Sequence, residues 1–275
     1  MSLLKFYKME GAGNDFVVLD NREMGLSLDE IISITPRLTD RKFGVGADGL
    51  LVLERAQIEG VDYTMIYRNA DGSNAGMCGN GSRCLALFAA HHGFGNSQKF
   101  NVHDAIYQAD VDKIEHSVSV LFPDVKAPEW IEIDGKKFLQ IYTGTEHVVT
   151  FEQKEMLLQE DQLVLLGRET REHPALNPPG SNVNFVCIDS ENTISLQTYE
   201  RGVENLTLAC GTGAMASAIS THYNAEDFVL DSEFTVEVKG GTLKVSFIYD
   251  SDTQTYTNLK LIGPANFVFE GSLKI

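Results

Sequence analysis

Along this 275-residue chain the hydrophobic pattern alternates between the two-residue period of strands and the 3.6-residue period of helices. Leu3 to Asp20 reads as strand, glycine turn and strand, with Gly11-Ala12-Gly13 at the turn and a β-branched, apolar run from Phe16 to Leu19. Ser27 to Arg41 has helical spacing. Ser27 or Leu28 begins it, Asp29 and Glu30 suit its first turn, and Pro36 is expected to kink or split it. Leu50–Leu53 and Tyr63–Tyr67 read as strands, and Ser82 to Ala90 as a helix apolar nearly all round. Strands follow near Gln98–Val102, Ile106–Val111, Ser117–Phe122 and Phe138–Tyr142, with Pro123 to Pro128 as a connection close to a domain boundary. Glu155 to Gly167 reads as helical in part, and Asn177-Pro178-Pro179-Gly180 as a turn before a strand at Val183–Ile188. A second buried helix covers Ala214 to Ser220. The tail reads as strands near Phe234–Val238, Thr242–Ile248, Asn258–Ile262 and Phe267–Phe269.

A helix that is apolar on every side needs cover on every side, and a curled sheet supplies it. The expected fold is α/β (α+β) in two similar halves, each a barrel-like, mostly antiparallel sheet around one central helix. Residues 1–117 plus 264–275 are assigned to the first half and 118–263 to the second, with an active site expected between them.

The halves echo each other in sequence. Tyr67-Arg68-Asn69-Ala70-Asp71-Gly72 leads to Met77-Cys78-Gly79-Asn80-Gly81, and Tyr199-Glu200-Arg201-Gly202 leads to Ala209-Cys210-Gly211-Thr212-Gly213; each cysteine lies eleven residues after its tyrosine. A further echo is read between Asn14-Asp15-Phe16-Val17-Val18-Leu19-Asp20 and Val183-Asn184-Phe185-Val186-Cys187-Ile188-Asp189.

Composition narrows the function. A hydrophobic content of 43% with 22% charged residues is that of a core-forming globular chain. No apolar run is long enough to span a bilayer, and the first residues are too short in their apolar part for a signal peptide, so a soluble, cytoplasmic protein is expected. A net charge of −17 repels phosphate backbones and argues against nucleic acid as a partner. The four cysteines, at 78, 84, 187 and 210, form no C-x-x-C pair, which argues against structural zinc. Cys84 and Cys187 lie inside apolar runs and are expected in the core.

Cys78 and Cys210 precede their helices, where unsatisfied N–H groups and the positive end of the dipole favour a thiolate. The same groups bind carboxylates, and glycines at 79, 81, 211 and 213 let backbone close on a ligand. Two such helix ends on one substrate would clamp its carboxylate and set one sulfur on each face of the adjacent carbon. One thiolate then removes the α-proton, the opposite thiol returns one, and the carbon inverts without pyridoxal phosphate. Gly44-Val45-Gly46-Ala47-Asp48-Gly49 fits G-x-G-x-x-G. It follows a helix and precedes a strand, so it reads as a turn and not a nucleotide site.

Several stretches together resemble the diaminopimelate epimerases over nearly the whole chain. They are Lys8 to Phe16, Gly44 to Leu51, Arg68 to Ser73, Met77 to Arg83, Asn182 to Phe185, Glu200 to Val203, Ala209 to Ala214 and Gly263 to Ala265. The resemblance implies that family's fold and conversion of LL-2,6-diaminopimelate to its meso form, a step of lysine and peptidoglycan synthesis, with no cofactor and no metal. It implies Cys78 and Cys210 as the acid–base pair and His147 beside the catalytic cysteine. Backbone N–H groups of Gly79, Asn80, Gly211 and Thr212 are implied to hold the reacting carboxylate, and Glu200 the reacting amino group. Side chains of Asn14, Asn69, Asn182 and Arg201 are implied to read the distal end. The implied partner is a small amino acid, with a homodimer as the assembly to test. The chain departs from the family at Thr145-Glu146-His147, where Asn-Pro-His is usual, and at Leu206, where a glutamate is common. The remaining histidines, including His91 and His92, are expected on the surface. Two other readings stay open: an amino-acid racemase of broader specificity, and a thiol redox or amino-acid-binding protein.

Overall fold

The computed structural model describes residues 3–225 and 229–274. The chain divides into two units, Met1–Leu121 with Ile262–Ile275 and Phe122–Leu261. The sequence boundaries, 117/118 and 263/264, differ from these by a few residues, because strand Ser117–Leu121 stays paired with Ala105–Asp112 of the first unit.

In the first unit, strands Leu3–Gly11 and Asn14–Asp20 form a hairpin through Ala12 and Gly13, both at positive φ (54° and 84°). Asn14–Asp20 pairs in parallel with Gly49–Arg55 across helix Leu28–Thr39. Gly49–Arg55 pairs antiparallel with Tyr63–Asn69, which pairs in parallel with Ser97–Val102 across helix Gly79–His91. Ser97–Val102, Ala105–Asp112 and Ser117–Leu121 continue antiparallel, and Asn266–Lys274 covers the other side of Leu3–Gly11. Every residue of Gly79–His91 except His91 is buried, and strands of this unit flank it on several sides. Helix Leu28–Thr39 packs Ile31 and Leu38 onto Val17, Leu19, Leu50 and Val52.

The second unit repeats this order. Lys136–Tyr142 and Glu146–Phe151 form a hairpin, and Glu146–Phe151 pairs in parallel with Asn182–Ser190 across helix Glu160–Arg171. Asn182–Ser190 pairs antiparallel with Thr193–Glu200, which pairs in parallel with Asp231–Val238 across helix Gly211–Asn224. Gly241–Asp250 closes antiparallel on Asp231–Val238. Val183, Phe185 and Tyr199 meet Leu163 of the outer helix on one face of the sheet, while the apolar helix Gly211–Asn224 is enclosed by strands of its own unit.

Two expectations need correction, and three strands carry no clear pattern in the sequence. Val183–Ile188 does not correspond to Asn14–Asp20. By position in the sheet it corresponds to Gly49–Arg55, each pairing in parallel with the strand before it and antiparallel with the tyrosine strand. Apolar runs ending in aspartate are generic to buried strands, so the sequence echo misaligned the copies by one strand. Pro36 does not split its helix. It stands in the last turn, where it removes one hydrogen bond, and hydroxyls of Thr35 and Thr39 bond back to Ile31 O (2.6 Å) and Thr35 O (2.8 Å). Strands Glu129–Ile133, Glu146–Phe151 and Thr193–Glu200 went unassigned in the sequence because charged or hydroxyl side chains break their apolar runs. No helix among the described residues is long and apolar enough to cross a membrane.

Candidate active site

Cys78 and Cys210 occupy the same position in their units. Each is the N-cap of its central helix, Cys78 at φ −116°, ψ 114° and Cys210 at φ −119°, ψ 110°. Extended backbone at an N-cap folds the side chain back over the first turn, so sulfur takes the place usually held by oxygen. Gly81 N–H donates to Cys78 Sγ and Gly213 N–H to Cys210 Sγ, both at 3.4 Å. The dipole and these donors stabilise negative charge on sulfur, and the first-turn positions 79, 80, 211 and 212 are those that suit an anion. Cys210 is 8% exposed and Cys78 half-buried.

Around Cys78, the thiol donates to Asn14 Oδ1 at 3.8 Å. Asn14 donates in turn to Asp48 Oδ2 at 2.5 Å. Arg41 bridges Asp48 and Asp15 at 2.7 Å each, while Lys8 bonds Asp15 at 2.6 Å and the Gly46 carbonyl. Burial raises the Asp15 pKa, but hydrogen bonds from Arg41 and Lys8 outweigh it and hold the carboxyl well below the usual range. The 44–49 glycine turn is therefore pinned by ion pairs to the strand carrying Asn14, between a helix and a strand in the order opposite to a dinucleotide site. Asn80 is buried, and its Oδ1 accepts from Arg83 Nη2 at 2.8 Å; Arg83 also reaches Gly79 O and Pro264 O. Arg83 is fully buried, which lowers its pKa. Asn69 is exposed, and its amide donates to Ser73 Oγ at 3.0 Å, tying it to the turn after its strand.

Around Cys210, Thr212 Oγ1 lies 3.5 Å from Sγ and 3.0 Å from His147 Nε2. His147 is fully buried on strand Glu146–Phe151, and burial lowers its pKa to about 3, so the ring is neutral. Its Nδ1 is 2.9 Å from Asn184 Nδ2. The Thr212 carbonyl accepts from Thr143 Oγ1 at 2.9 Å, which holds the first helical turn. Glu200 ends its strand half-buried. Buried Asn182 accepts from Arg201 N–H at 2.9 Å and donates to Glu146 O at 3.0 Å. The Arg201 guanidinium pairs with Glu146 Oε2 at 2.9 Å and donates to Thr145 Oγ1 at 3.0 Å. Thr145, Glu146, Asn182 and Arg201 thus form one cluster. Leu206 packs on the core that includes Val183, Phe185 and Tyr199.

Sequence reasoning missed Arg83, Glu146 and Asn184. Each carried a signal: an arginine inside an apolar helix, an acid where proline is usual, and an asparagine in a buried strand. Two histidines expected on the surface are packed instead. His92 stacks on Phe88 with centroids 3.9 Å apart and bonds Tyr7 Oη at 3.1 Å. His222 is 4% exposed and bonds Tyr256 Oη at 3.0 Å. Both lie at the C-terminal end of a central helix, which faces the enclosing sheet. Cys84 and Cys187 are buried as expected, and burial raises both thiols. Among the described residues no group of three or more His, Cys, Asp or Glu side chains is arranged to hold a metal ion.

Solved structures of low identity share the fold. A phenazine biosynthesis protein of the PhzF family from Bacillus anthracis superposes with a TM-score of 0.74 at 15% identity, covering 100% of both chains. A hydroxyproline epimerase from Agrobacterium vitis superposes with a TM-score of 0.69 at 14% identity, covering 98% of this chain and 92% of that one. In sequence, the chain is 38% identical to the diaminopimelate epimerase of Flavobacterium psychrophilum over 98% of this chain and 100% of the relative. It is 36% identical to that of Aquifex aeolicus over 98% of each. The diaminopimelate epimerase family model matches residues 6–106 and 139–268, and with relatives this similar over nearly full length the chain belongs to the diaminopimelate epimerase family.

Proposed function

We propose that this chain is an isomerase that inverts one α-carbon of LL-2,6-diaminopimelate to give the meso form, using Cys78 and Cys210 as its acid–base pair. The observation that carries the reading is the pair of cysteine-capped central helices, alike in backbone angles and in the bond from a glycine N–H to sulfur. An α-proton leaves readily only if the charge developing on the adjacent carboxylate is stabilised. Donors at Gly79, Asn80, Gly211 and Thr212 serve that carboxylate, and Glu200 takes the reacting ammonium. One sulfur, as thiolate, takes the α-proton and becomes a thiol. The other, as thiol, gives its proton to the opposite face and becomes a thiolate. One C–H bond breaks and one forms, and no electrons enter or leave. Arg201, with Asn14, Asn69 and Asn182, holds the distal amino-acid end, where a guanidinium matches a carboxylate. The enzyme acts in the cytoplasm, in lysine and peptidoglycan synthesis.

The test is turnover in heavy water with reductant. Wild type should place deuterium at one α-carbon and release meso product. Cys78→Ala and Cys210→Ala should each abolish both, while Cys84→Ala keeps most activity. Near-native turnover by Cys78→Ala would sink the two-thiol mechanism, and equal efficiency on L-lysine would favour a broader racemase.

A further inference from the structure

Four side chains in the second unit form one line of hydrogen bonds that ends on sulfur: buried Thr198, Asn184 and His147, and half-buried Thr212. Asn184 Nδ2 lies 3.2 Å from the Val148 carbonyl and 2.9 Å from His147 Nδ1, and Asn184 Oδ1 accepts from Thr198 Oγ1 at 2.9 Å. The Val148 carbonyl only accepts, so the Asn184 nitrogen must face it and the amide has one workable orientation. Its second N–H then points at His147 Nδ1. A neutral imidazole has one proton, so an Nδ1 that accepts leaves that proton on Nε2. Nε2–H donates to Thr212 Oγ1 at 3.0 Å, which leaves the Thr212 hydroxyl hydrogen to donate to Cys210 Sγ at 3.5 Å.

We infer that Asn184 is a positioning residue: its amide fixes the His147 tautomer, so that the chain of donors runs toward the Cys210 sulfur. His147 and Thr212 then stabilise the thiolate form of Cys210 without exchanging a proton with it. A ring with the proton on Nδ1 would reverse the chain, because Nε2 would accept the Thr212 hydroxyl hydrogen and the sulfur would lose a donor. Packing supports a fixed amide. A Cβ at Gly213 would sit 2.6 Å from Asn184 Oδ1 and 3.0 Å from Thr198 Oγ1, so the helix passes over the amide at a residue without a side chain. The first unit holds Cys78 differently, with Asn14 Oδ1 accepting from its thiol. Both sulfurs accept from a glycine N–H, and they differ in the side chain beside them: the Thr212 hydroxyl at Cys210 and the Asn14 amide oxygen at Cys78.

The effect on turnover rests on the proposed epimerase reading, but the tautomer does not, and the experiment separates them. In protein labelled with 15N-histidine, the His147 resonances are identified by their loss in His147→Gln. The expected result in wild type is a protonated Nε2 and a bare Nδ1. A proton on Nδ1, or on both nitrogens at neutral pH, overturns the inference whatever the activity. In Asn184→Leu, which keeps the size and removes the donor, His147 should become a mixture of tautomers. With diaminopimelate, kcat should fall by roughly threefold to tenfold and KM should change by less than about threefold, since one neutral hydrogen bond is lost and the ligand donors stay. An unshifted tautomer together with unchanged kcat also overturns it. If Asn184→Leu does not fold, the wild-type spectrum still decides. Absence of turnover in wild type with the expected tautomer would count against the epimerase reading alone.

Discussion

Gly81 and Gly213 occupy the same place in the two central helices, yet alanine at the two positions should have unlike effects. Both stand in the first helical turn, and Ala is up to about 1 kcal/mol better than Gly inside a helix. At Gly81 the new Cβ would meet Leu51 Cδ2 at 3.0 Å, Cys78 Cβ at 3.5 Å and Phe16 Cζ at 3.5 Å. The nearest of these is the tip of a flexible side chain, which can yield by a few tenths of an ångström. At Gly213 the new Cβ would meet Asn184 Oδ1 at 2.6 Å, Thr198 Oγ1 at 3.0 Å and Cys210 Cβ at 3.2 Å. Asn184 cannot yield without giving up its bonds to Val148 O, His147 and Thr198. Overpacking costs about 1–3 kcal/mol, and each broken buried hydrogen bond about 1 kcal/mol more. Gly81→Ala should stay within about 1 kcal/mol of wild type, while Gly213→Ala should lose about 1 kcal/mol if one of these bonds breaks and up to about 5 kcal/mol if all three do, after the helix gain is subtracted. Each kcal/mol lowers Tm by about 2–4 °C in a chain of this size. Scanning calorimetry of both variants, with kcat for diaminopimelate, checks this. A Gly213→Ala protein that matches Gly81→Ala in both Tm and kcat refutes the reasoning.

Two further outcomes follow from charges in the second unit. Glu146 pairs with Arg201 at 2.9 Å, with 34% and 27% of the two side chains exposed. If Arg201 takes the distal carboxylate, Glu146 competes with it. Glu146→Gln should then lower KM for diaminopimelate by up to about fivefold, the scale of a solvent-screened pair worth at most about 1 kcal/mol. A rise in KM would mean that Glu146 serves the substrate's ammonium, and the competition is wrong. Burial lowers the His147 pKa from 6.5 to about 3, so the folded pKa lies below the unfolded one. The unfolded chain then binds the extra proton, and stability present above pH 6.5 declines as pH falls from there toward 3, by up to about 1.4 kcal/mol per unit. Urea unfolding between about pH 6 and 4 should show a flatter decline for His147→Gln than for wild type. Equal slopes would show that His147 does not contribute.

Local pattern alone was enough for the parts of this protein that depend on neighbours in the chain. Apolar residues on every side of Ser82–Ala90 and Ala214–Ser220 demanded enclosed helices, and the Cys-Gly-x-Gly before each marked the N-caps. Ser27 with Glu30 makes the capping box expected of a helix start. Cys84 and Cys187 were readable as core from their apolar surroundings. Pairing between distant strands was not readable. The sequence echo matched Asn14–Asp20 with Val183–Asp189, but hydrogen-bonding order matches Gly49–Arg55 with Asn182–Ser190, because a buried strand's apolar run does not record which strand lies beside it.

The same limit applies to the chemistry. Spacing picked out two thiols, and it could assign neither Asn184 to His147 nor Glu146 to Arg201, which lie 37 and 55 residues apart. Nor could it distinguish buried His222 from exposed His91. A helix cap is formed within four residues, so sequence determines it. A tautomer is set by a donor held in place by a neighbouring strand's carbonyl and by the backbone of a helix passing above. That combination exists only once the parallel strands Glu146–Phe151 and Asn182–Ser190 are side by side beneath the helix that begins at Gly211.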